Sequence, residues 1–543
     1  MQRICRQCNG DFEVSDDDLS FLEQISPVYD GEKFLILPPD YCALCRLQRR
    51  MCFRNERVLY HRKCDATGAN MITCFAPGTS YKVYAHDYWW SDKWDGAIYG
   101  RNFDFSKSLM AQMKELSLDV PHNSLVTTNC INSEYTNYFL NSQNSYLVFG
   151  GSHDEDVLYG KFIVNCKNVV DCLSMYNSEF CYQGNSCESC YGCRFLFQCR
   201  NCSDCLMIEE CAGCRNCIAC FGLRNQEFCF LNKRFSEEKF LEIKAEFKNL
   251  SREQIFELKE KLRELKSDLP HVGSHIYSSE NCSGDNILNS KNCKNSFDIR
   301  NCEDCKNVNF APFAIHCRDH IFSAPGPTEF CYQTCSIVGN HNSMSLFLVW
   351  GTGSNLFYCM ECHSCSDCFG CVGLKNKRYC ILNKQYDKKE YEKIVAKIIE
   401  HMRKTSEWGQ FLDPKLSCHG HNESIAQEYF PVSKQQAIRD GFNWHDEDEI
   451  NVDVVSSKDV LKCECCMKNF RIIPMELRFY RLMGLPLPAE CHNCRHLSRV
   501  KRRNNFRLYA RECVNCGAEI ETVYGVEAPA KIFCETCYLN FTY

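Results

Sequence analysis

The sequence lacks the features that would place the protein in a membrane or on a secretory route. It has no run of about 18 apolar residues, the length that a membrane-spanning helix needs. Its first residues, MQRICRQCNGDFEV, contain no apolar stretch of the kind found in signal peptides. We therefore expect a cytoplasmic protein that makes no membrane contact and whose thiols stay reduced.

The sequence also lacks familiar catalytic motifs and any large charge imbalance. It has no Gly-rich phosphate-binding loop, no GxSxG and no HExxH, so we predict that it is not an enzyme. Its 63 basic and 69 acidic residues nearly cancel, which leaves no overall positive charge to attract nucleic acid. Its 543 residues are enough for several domains.

Cysteine, in contrast, is abundant, with 45 residues in the chain. Four CxxC units lie near the C-terminus, within 461–543. A CxxC turn directs two thiolates to one point, and two such turns supply the four sulfurs of a closed tetrahedral zinc site. Pairing the units in sequence order predicts two zinc ribbons, whose ligands are Cys463, Cys466, Cys491 and Cys494 in the first and Cys513, Cys516, Cys534 and Cys537 in the second.

The N-terminal domain, predicted to span 1–118, repeats this plan incompletely. YCALCRLQRRMCFRNERVLYHRKCDATG (41–68) and ECHNCRHLSRVKRRNNFRLYARECVNCG (490–517) share CxxCR, RN, LYxRxC and a final glycine. The alignment places Cys64 opposite Cys513, but the other three ligands of the second ribbon are replaced by Thr67, Ala85 and Tyr88. We predict about three structural zinc ions in all, and the N-terminal ion has the ligands Cys5, Cys8, Cys42 and Cys45.

A basic segment follows Cys494, the last predicted ligand of the first C-terminal ribbon. Positive charge beside a zinc ribbon can hold phosphates, and Phe506 and Tyr509 could stack on bases. The alternative is a helix whose arginines pair with acidic neighbours or with another domain. The candidate nucleic-acid contacts are Arg495, Arg499, Lys501, Arg502, Arg503, Arg507 and Arg511.

The middle of the chain contains two tandem copies, 119–267 and 268–412. CFGLRNQEFCFLNKRF (220–235) matches CVGLKNKRYCILNKQY (371–386), and DVPHNS matches DLPHVG. Within a copy, cysteines recur at an interval of 15, as at Cys172 and Cys187. So short a period predicts a β-solenoid with 15-residue coils. The predicted fold class is mainly β with α: two tandem short-coil β-solenoids, each followed by an amphipathic helix, flanked by N- and C-terminal zinc ribbons.

The cysteines also follow a three-residue frame. All 15 from Cys130 to Cys229 lie a multiple of three residues apart, and 11 of 13 in the second copy share one frame, which excludes Cys282 and Cys331. Because Ile208 occupies the same frame, we predict an inward-facing row. Three states of the sulfur remain open: a reduced thiol core, zinc between stacked CxxC units, or disulfides between coils.

Each copy ends in a predicted amphipathic helix. Ser236 is a candidate N-cap, Ser251 with Gln254 forms a candidate capping box, and Asp387 with Glu390 plays the same part in the second copy. We expect the apolar stripes of these helices to cover the open ends of the solenoids. Residues 413–460, which include HDEDE (445–449), are predicted to be a linker with some helix.

The order of these motifs resembles that of a known family. The motifs are RNERVLYHRKCDATG, YKVY…WWSDKWD and YGRNFDFS, followed by cysteine–asparagine repeats that close on GLRNQEFCFLNKRFS. The chain resembles uncharacterised zinc-ribbon, cysteine-rich repeat proteins from uncultivated ultra-small bacteria. Some of these are labelled carnitine CoA-transferase-like (CaiB/BaiF). The residues here do not support that label, because such a transferase is a large α/β enzyme with an acidic nucleophile.

We expect a zinc-binding, non-enzymatic scaffold that presents surfaces to a protein partner, since solenoids are used mostly in this way. Two alternatives remain: binding of RNA, DNA or a ribosome through the Arg-rich ribbons, and thiol-based metal binding or redox chemistry. The oligomeric state remains open at this point.

Overall fold

A computed structural model describes residues 1–323, 326–446 and 460–542 of the chain. It divides into two compact units. Unit 1 consists of Met1–Leu125 and His275–Asp446, and unit 2 consists of Val126–Ser274 and the described part of 447–543. Each terminal segment therefore folds with the internal copy that is farther away in the sequence. The chain is mainly strands with some helices.

Unit 2 contains a large sheet whose strands are nearly all parallel. Successive strands pair at a separation of twelve residues, as in Lys161 with Leu173 and Arg194 with Leu206. The described strands are Thr127–Thr128, Asn137–Leu140, Phe149–Ser152, Glu155–Leu158, Lys161–Val164, Lys167–Val170, Leu173–Tyr176, Glu179–Glu188, Arg194–Phe197, Leu206–Glu209, Arg215–Phe221, Glu227–Phe230 and Lys233–Arg234.

The twelve-residue register shows that the predicted 15-residue period was wrong. Two cysteines that lie 15 residues apart are separated by one strand-to-strand distance of twelve residues plus one step of three. The interval of 15 is therefore the sum of two shorter periods. The step of three is visible in the backbone, because every third residue is left-handed with φ near +50° along much of the sheet. Examples are Asn165, Asn168, Asp171, Ser174 and Asn177, with φ of 54°, 52°, 59°, 54° and 50°.

The residue after each left-handed position points into the core. The buried cluster of unit 2 contains Phe139, Ile163, Cys199 and Ile208, all in the three-residue frame predicted from the sequence. Asparagine and aspartate suit the left-handed positions because they tolerate positive φ better than other non-glycine residues do. The prediction of an inward-facing cysteine row is therefore confirmed in this unit.

Unit 1 contains a second large sheet, which is also largely parallel. Pairs such as Phe297 with Asn309 keep the separation of twelve. The described strands are Ile276–Tyr277, Gly284–Leu288, Ser296–Arg300, Asn309–Pro312, Ala314–Ile315, Arg318–Ile321, Thr328–Ile337, Asn340–Val349, Gly353–Phe357, Ser366–Phe369, Arg378–Ile381 and Lys384–Gln385.

In this sheet, three separations between paired residues differ from twelve. They explain why Cys282 and Cys331 do not share the three-residue frame. Ile276 pairs with Ile287, Arg318 with Tyr332, and Asn340 with Gly353, which are separations of 11, 14 and 13. The inward frame therefore shifts after the first and second of these pairs and is restored at the third. As a result, Cys282 contacts the inner cluster and Cys331 belongs to it. Cys335 fits the predicted frame but lies outside this cluster, with its Sγ 3.7 Å from the Oγ of Ser336.

The helices after each copy begin where predicted. Ser251 and Gln254 form a capping box, and the Ser236 and Asp387 side chains cap their helices. In unit 2 the two helices after the sheet contact the outer side of the last strands. Lys266, in the second helix, bonds Glu209 at 2.6 Å, and Lys244, in the first, bonds Asn216 at 2.7 Å. These helices cover a side of the sheet and not only its open end. These helices are Glu237–Glu246, Arg252–Asp268 and Lys388–Lys404.

The N-terminal segment of unit 1 consists of short hairpins and helices. Val83–Tyr84 pairs in parallel with His122–Asn123. The antiparallel pairs are Gln2–Ile4 with Asp11–Glu13, Val28–Tyr29 with Glu32–Lys33, and Tyr60–Lys63 with Asn70–Thr73. The helices are Asp16–Gln24, Ala43–Met51, His86–Trp90, Gly96–Tyr99 (3₁₀) and Leu109–Asp119.

The C-terminal segment of unit 2 has the same kinds of element. Pro270–Val272 pairs in parallel with Lys531–Phe533, as Val83–Tyr84 does with His122–Asn123 in unit 1. The antiparallel pairs are Val460–Lys462 with Asn469–Arg471 and Tyr509–Glu512 with Glu519–Thr522. The helices are Pro474–Leu482, His492–Lys501 and Glu535–Thr542.

The predicted linker, 413–460, is only partly described. Residues 413–446 fold with unit 1, while 447–459, including most of HDEDE, lie outside the described residues. No helix in the described ranges combines the length and apolarity needed to cross a membrane. The helices in this segment are Pro414–Leu416 (3₁₀), His421–Glu423 (3₁₀), Ile425–Tyr429 and Lys434–Arg439.

Candidate metal centres and a basic groove

The twelve predicted metal ligands come together in three groups of four. In each group, one CxxC pair lies in the turn of an antiparallel hairpin and the other lies at the start of a helix. Cys42 and Cys491 occupy the position just before the helices Ala43–Met51 and His492–Lys501. Within each group the Sγ atoms all lie within 4.8 Å of one another: Cys5, Cys8, Cys42 and Cys45; Cys463, Cys466, Cys491 and Cys494; Cys513, Cys516, Cys534 and Cys537.

The sulfur spacing fits a tetrahedral ion. The Sγ atoms of Cys8 and Cys42 are 3.8 Å apart, and one pair in each of the other two groups has the same separation. A tetrahedron with metal–sulfur bonds of about 2.3 Å has edges of about 3.8 Å. Three metal sites with four thiolate ligands are thus compatible with the geometry.

Backbone N–H groups point at these sulfurs. The N–H of Cys491 donates to Cys463 Sγ at 3.2 Å, and that of Cys534 donates to Cys513 Sγ at 3.2 Å. Burial alone would raise the pKa of Cys463, but the N–H groups of Cys466 and Cys491 outweigh it and lower that pKa to about 6. Donors directed at sulfur stabilise the thiolate, which is the form that binds metal.

Several cysteines inside the sheets have the opposite environment. Cys199 Sγ lies 3.3 Å from the carbonyl oxygens of both Phe197 and Ile208, and Cys202 and Cys211 show the same pattern. A carbonyl can only accept, so these sulfurs must donate as protonated thiols. Burial raises the pKa of Cys199 and Cys211 well above its ordinary value. Cys172, Cys220 and Cys371 each accept one backbone N–H in addition.

Of the three open states, the contacts of the inner cysteines favour reduced thiols. Every cysteine in the chain lies within the described residues, and none forms a disulfide. Among those residues, the groups that could hold an ion are the three terminal ones.

The second N-terminal ribbon keeps the fold of a metal site with different side chains. Tyr60–Lys63 and Asn70–Thr73 form the hairpin, and His86–Trp90 is the helix. Cys64 Sγ accepts the N–H of Ala85 at 3.3 Å, as Cys513 accepts that of Cys534. The backbone around the missing ligands is therefore retained.

The first two candidate nucleic-acid contacts are buried in unit 2. Arg495 and Arg499 lie 2.7 and 3.1 Å from the two carboxylate oxygens of Asp171, which is itself fully buried. Arg495 also pairs with Glu476 at 3.0 Å. Although burial alone would lower it, the Asp171 carboxylate holds the pKa of Arg495 above its usual value. These two arginines therefore pair with acidic neighbours, which was the predicted alternative to nucleic-acid contact.

Unit 1 contains the same arrangement. Arg46 and Arg50, from the helix that starts after Cys42, lie 3.0 and 3.3 Å from the carboxylate oxygens of Asp319. Arg50 and Asp319 are almost completely buried. In both units, then, a helix that begins at a metal ligand is attached to the large sheet by two arginines and one aspartate.

The remaining candidate contacts are more accessible. Lys501 and Arg507 are exposed, and Arg507 lies 5.2 Å from the ring centre of Tyr509. Arg502, also exposed, pairs with Glu209 at 2.8 Å. Arg503 and Arg511 are half-buried, and Arg511 donates to the Gly525 carbonyl at 3.1 Å.

A groove of about 570 Å³ lies in unit 2 between the helix Arg252–Asp268 and residues 485–502. Tyr182, Phe195 and Met207 contribute apolar surface to it. Seven basic side chains line the groove against three acidic ones. The basic residues are Arg252, Lys259, Arg263, Lys266, Arg495, Arg499 and Arg502, and the acidic ones are Glu209, Glu464 and Glu490.

The sequence did not predict this groove. Lys259 lies 5.6 Å from the ring centre of Phe195, at the groove wall. The sequence predicts the apolar stripe of the helix Arg252–Asp268 but no role for the side that carries Lys259 and Arg263. No local signal could have indicated that this side faces the Arg-rich segment more than 200 residues away.

Comparisons with known proteins add no identity. No protein-family model matches the chain, and no curated protein does. Among solved structures, a protein from Desulfovibrio desulfuricans G20 assigned as an acetyltransferase aligns with 50% of this chain and 79% of its own length, at 9% identity and a TM-score of 0.09. That score carries no argument about fold or function.

Proposed function

We propose that the protein is a zinc-stabilised binding scaffold without catalytic activity, built from two β-solenoids that are each held by cysteine-rich ribbons. The observation that carries the proposal is the attachment of ribbon to sheet in each unit. Arg495 and Arg499 meet Asp171 in unit 2, and Arg46 and Arg50 meet Asp319 in unit 1. Metal site, helix and sheet then form one rigid connection.

The register and backbone of the sheets support the solenoid. Most strand residues pair with the residue twelve positions later, and along much of the sheets every third residue is left-handed. Twelve residues with a corner at every third give a coil of four short sides. Coils stacked at about 4.8 Å leave a narrow interior, in which cysteine fits because it is small.

The sulfur sets support structural zinc. Four cysteine ligands close the coordination sphere, so no position remains open for a substrate or a water nucleophile. Softness of the thiolate ligands favours zinc over magnesium or calcium. Such ions stabilise small domains that bury too little apolar surface to fold alone.

Hydrogen exchange tests the rigidity that a scaffold needs. In the zinc-loaded protein, the amides of Arg194–Phe197 and Leu206–Glu209 should exchange at least about 100-fold more slowly than those of the helix Glu237–Glu246. The helix is the internal control: Phe240 is its only buried residue, so we expect its amides to open locally. Exchange of the two strands as fast as that of the helix would contradict a rigid solenoid.

Binding of RNA or DNA is a second candidate function, and the groove of unit 2 favours it. Besides Arg495 and Arg499, which pair with Asp171, five basic side chains line the groove, and such local positive charge suits phosphates.

Charge reversal in the groove tests this second function. Lys259→Glu with Arg263→Glu should weaken binding of a single-stranded RNA 20-mer about tenfold or more at 0.1 M salt, measured by fluorescence anisotropy. Lys239→Glu, on an exposed helix of the same unit, is the matched control and should change binding less than about twofold. Equal effects of the two changes, or no binding by the unaltered protein, would exclude the groove as the contact.

A further inference from the structure

We propose that Cys418, which lies beside the imidazolium of His122, is a nucleophile that undergoes exchange with small disulfides. Cys418 lies in unit 1, outside the sheets and the three metal groups. This inference concerns a chemical activity and does not depend on the scaffold function.

Three side chains, Cys418, His122 and Glu361, follow one another in a series of contacts. Cys418, which is half-buried, has its Sγ 3.9 Å from His122 Nε2. His122 is fully buried, and its Nδ1 lies 2.7 Å from Oε1 of the buried Glu361. The order thiol, imidazole, carboxylate is that of an activated cysteine.

The contacts of His122 decide its protonation state. Nδ1 faces a carboxylate oxygen of Glu361, and Nε2 lies 2.8 Å from the backbone oxygen of Ser117. Both oxygens can only accept, so both ring nitrogens must carry hydrogen and the ring is an imidazolium. Burial alone would lower the pKa of His122, but Cys418 and Glu361 raise it well above its ordinary value.

The other groups around Cys418 are neutral or cationic, apart from the carboxylates of Glu361, Asp413 and Glu423. Burial raises the pKa of Cys74 and Tyr81, and it lowers that of His419 to about 4, so these three are uncharged at neutral pH. Lys114 donates to Tyr81 and to the Lys415 carbonyl. The titratable groups in this cluster and next to it are Cys74, Tyr81, Lys114, His122, Glu361, Asp413, His419 and Glu423.

His122 thus lies 3.9 Å from the sulfur, and Lys114 interacts with it electrostatically. Glu361 neutralises His122 from its far side, and Asp413 acts on Lys114. Local positive charge beside a partly accessible sulfur is the setting in which reactive cysteines are found.

Unit 2 provides a natural comparison. Its His271 Nδ1 lies 3.1 Å from Glu210 in the same relation to the sheet, and the ring faces Phe221 and Tyr524. The histidine–glutamate pair therefore has a structural role common to both units. Cys418 is added in unit 1 by the segment 413–446, whereas the helix of unit 2 leads directly into Pro270–Val272.

The geometry favours disulfide exchange over acyl transfer. The Nε2 hydrogen points at the Ser117 oxygen, 2.8 Å away, and not at the sulfur 3.9 Å away, so His122 serves as a fixed charge. Exchange needs only the thiolate: Cys418 Sγ attacks one sulfur of a small disulfide, a new S–S bond forms, the old one breaks, and the other half leaves as a thiolate that takes a proton from water. The Cys418 sulfur is oxidised by one unit and the leaving sulfur is reduced by one.

The test measures the reaction of individual cysteines in the full-length, zinc-loaded protein. Hydroxyethyl disulfide is added, the reaction is quenched with acid, and mixed disulfides are quantified by peptide mass spectrometry. Cys130 is the control, because it is a half-buried thiol that bonds the Phe139 carbonyl at 3.2 Å and burial raises its pKa. We expect Cys418 to react at least about tenfold faster than Cys130 at pH 7.

The pH profile separates a thiolate from an ordinary exposed thiol. Between pH 6.5 and 8 the rate at Cys418 should rise less than about threefold, while that at Cys130 rises about tenfold per pH unit. Glu361→Gln removes the charge that keeps His122 protonated, so the Cys418 rate at pH 6.5 should fall at least about fivefold. Equal rates and slopes for the two cysteines in the unaltered protein would overturn the proposal, as would a folded Glu361→Gln variant with an unchanged profile.

Discussion

Replacing Cys491 with serine is expected to remove one of three zinc ions and to unfold the segment from 460 to 501. Cys491 supplies a sulfur and precedes the helix His492–Lys501. A structural zinc site contributes about 10–16 kcal/mol of binding free energy, which is comparable to the whole stability of a domain. Elemental analysis of the purified variant should give two zinc ions per chain, and limited proteolysis should cut within this segment.

Cys465→Ser is the matched control for this change. Cys465 is exposed and adjacent to Cys466, but it is not one of the four clustered sulfurs. It should leave three zinc ions and the proteolysis pattern unchanged. Loss of zinc from both variants, or retention of three ions after Cys491→Ser, would contradict the assignment of the ligands.

Replacing Asp171 with asparagine is expected to lower the free energy of unfolding of unit 2 by about 3–5 kcal/mol. The amide nearly matches the carboxylate in size but leaves Arg499 without a counter-charge and Arg495 with Glu476 alone. Both guanidinium groups are at least 95% buried, so solvent cannot replace the lost partner. Denaturant unfolding, followed by circular dichroism, measures the change.

The control for this loss is an ion pair on the surface of the same unit. Glu242→Gln breaks the pair with Lys239, in which both side chains are about 60% exposed, and should leave the free energy of unfolding almost unchanged. If the two substitutions destabilise the protein equally, the Asp171 cluster does not attach the ribbon to the sheet. Asp319→Asn should repeat the larger effect in unit 1.

The metal groups could be predicted because their signal is local. A CxxC turn positions its two sulfurs through a few backbone dihedrals, and the two C-terminal ribbons need only pair neighbouring turns. The frame of the inner cysteines was also local, since each left-handed residue sets the direction of the next side chain. The length of the repeat could not be predicted from a local signal, because Cys172 and Cys187 lie in different coils and at different corners.

The association of each terminal segment with the distant copy could not be predicted for a different reason. The two copies are similar, so the sequence offers Arg46 and Arg50 two candidate aspartates, Asp171 and Asp319. Only the folded chain shows that they contact Asp319. Cys418 was overlooked because a single cysteine outside any CxxC unit carries no motif, and its histidine and glutamate lie 296 and 57 residues away.

The twelve-residue register also has a consequence for the order of folding. Parallel sheets usually need long chain closures and fold slowly, but here each strand meets its neighbour after closing a loop of only about a dozen residues. The sheets can therefore grow one coil at a time from local contacts. The contacts of Arg50 with Asp319 and of Arg499 with Asp171 close loops of 269 and 328 residues. We expect ribbon attachment to be the late step, and a ribosome would release a formed first sheet long before the C-terminal ribbon that completes its unit had been synthesised.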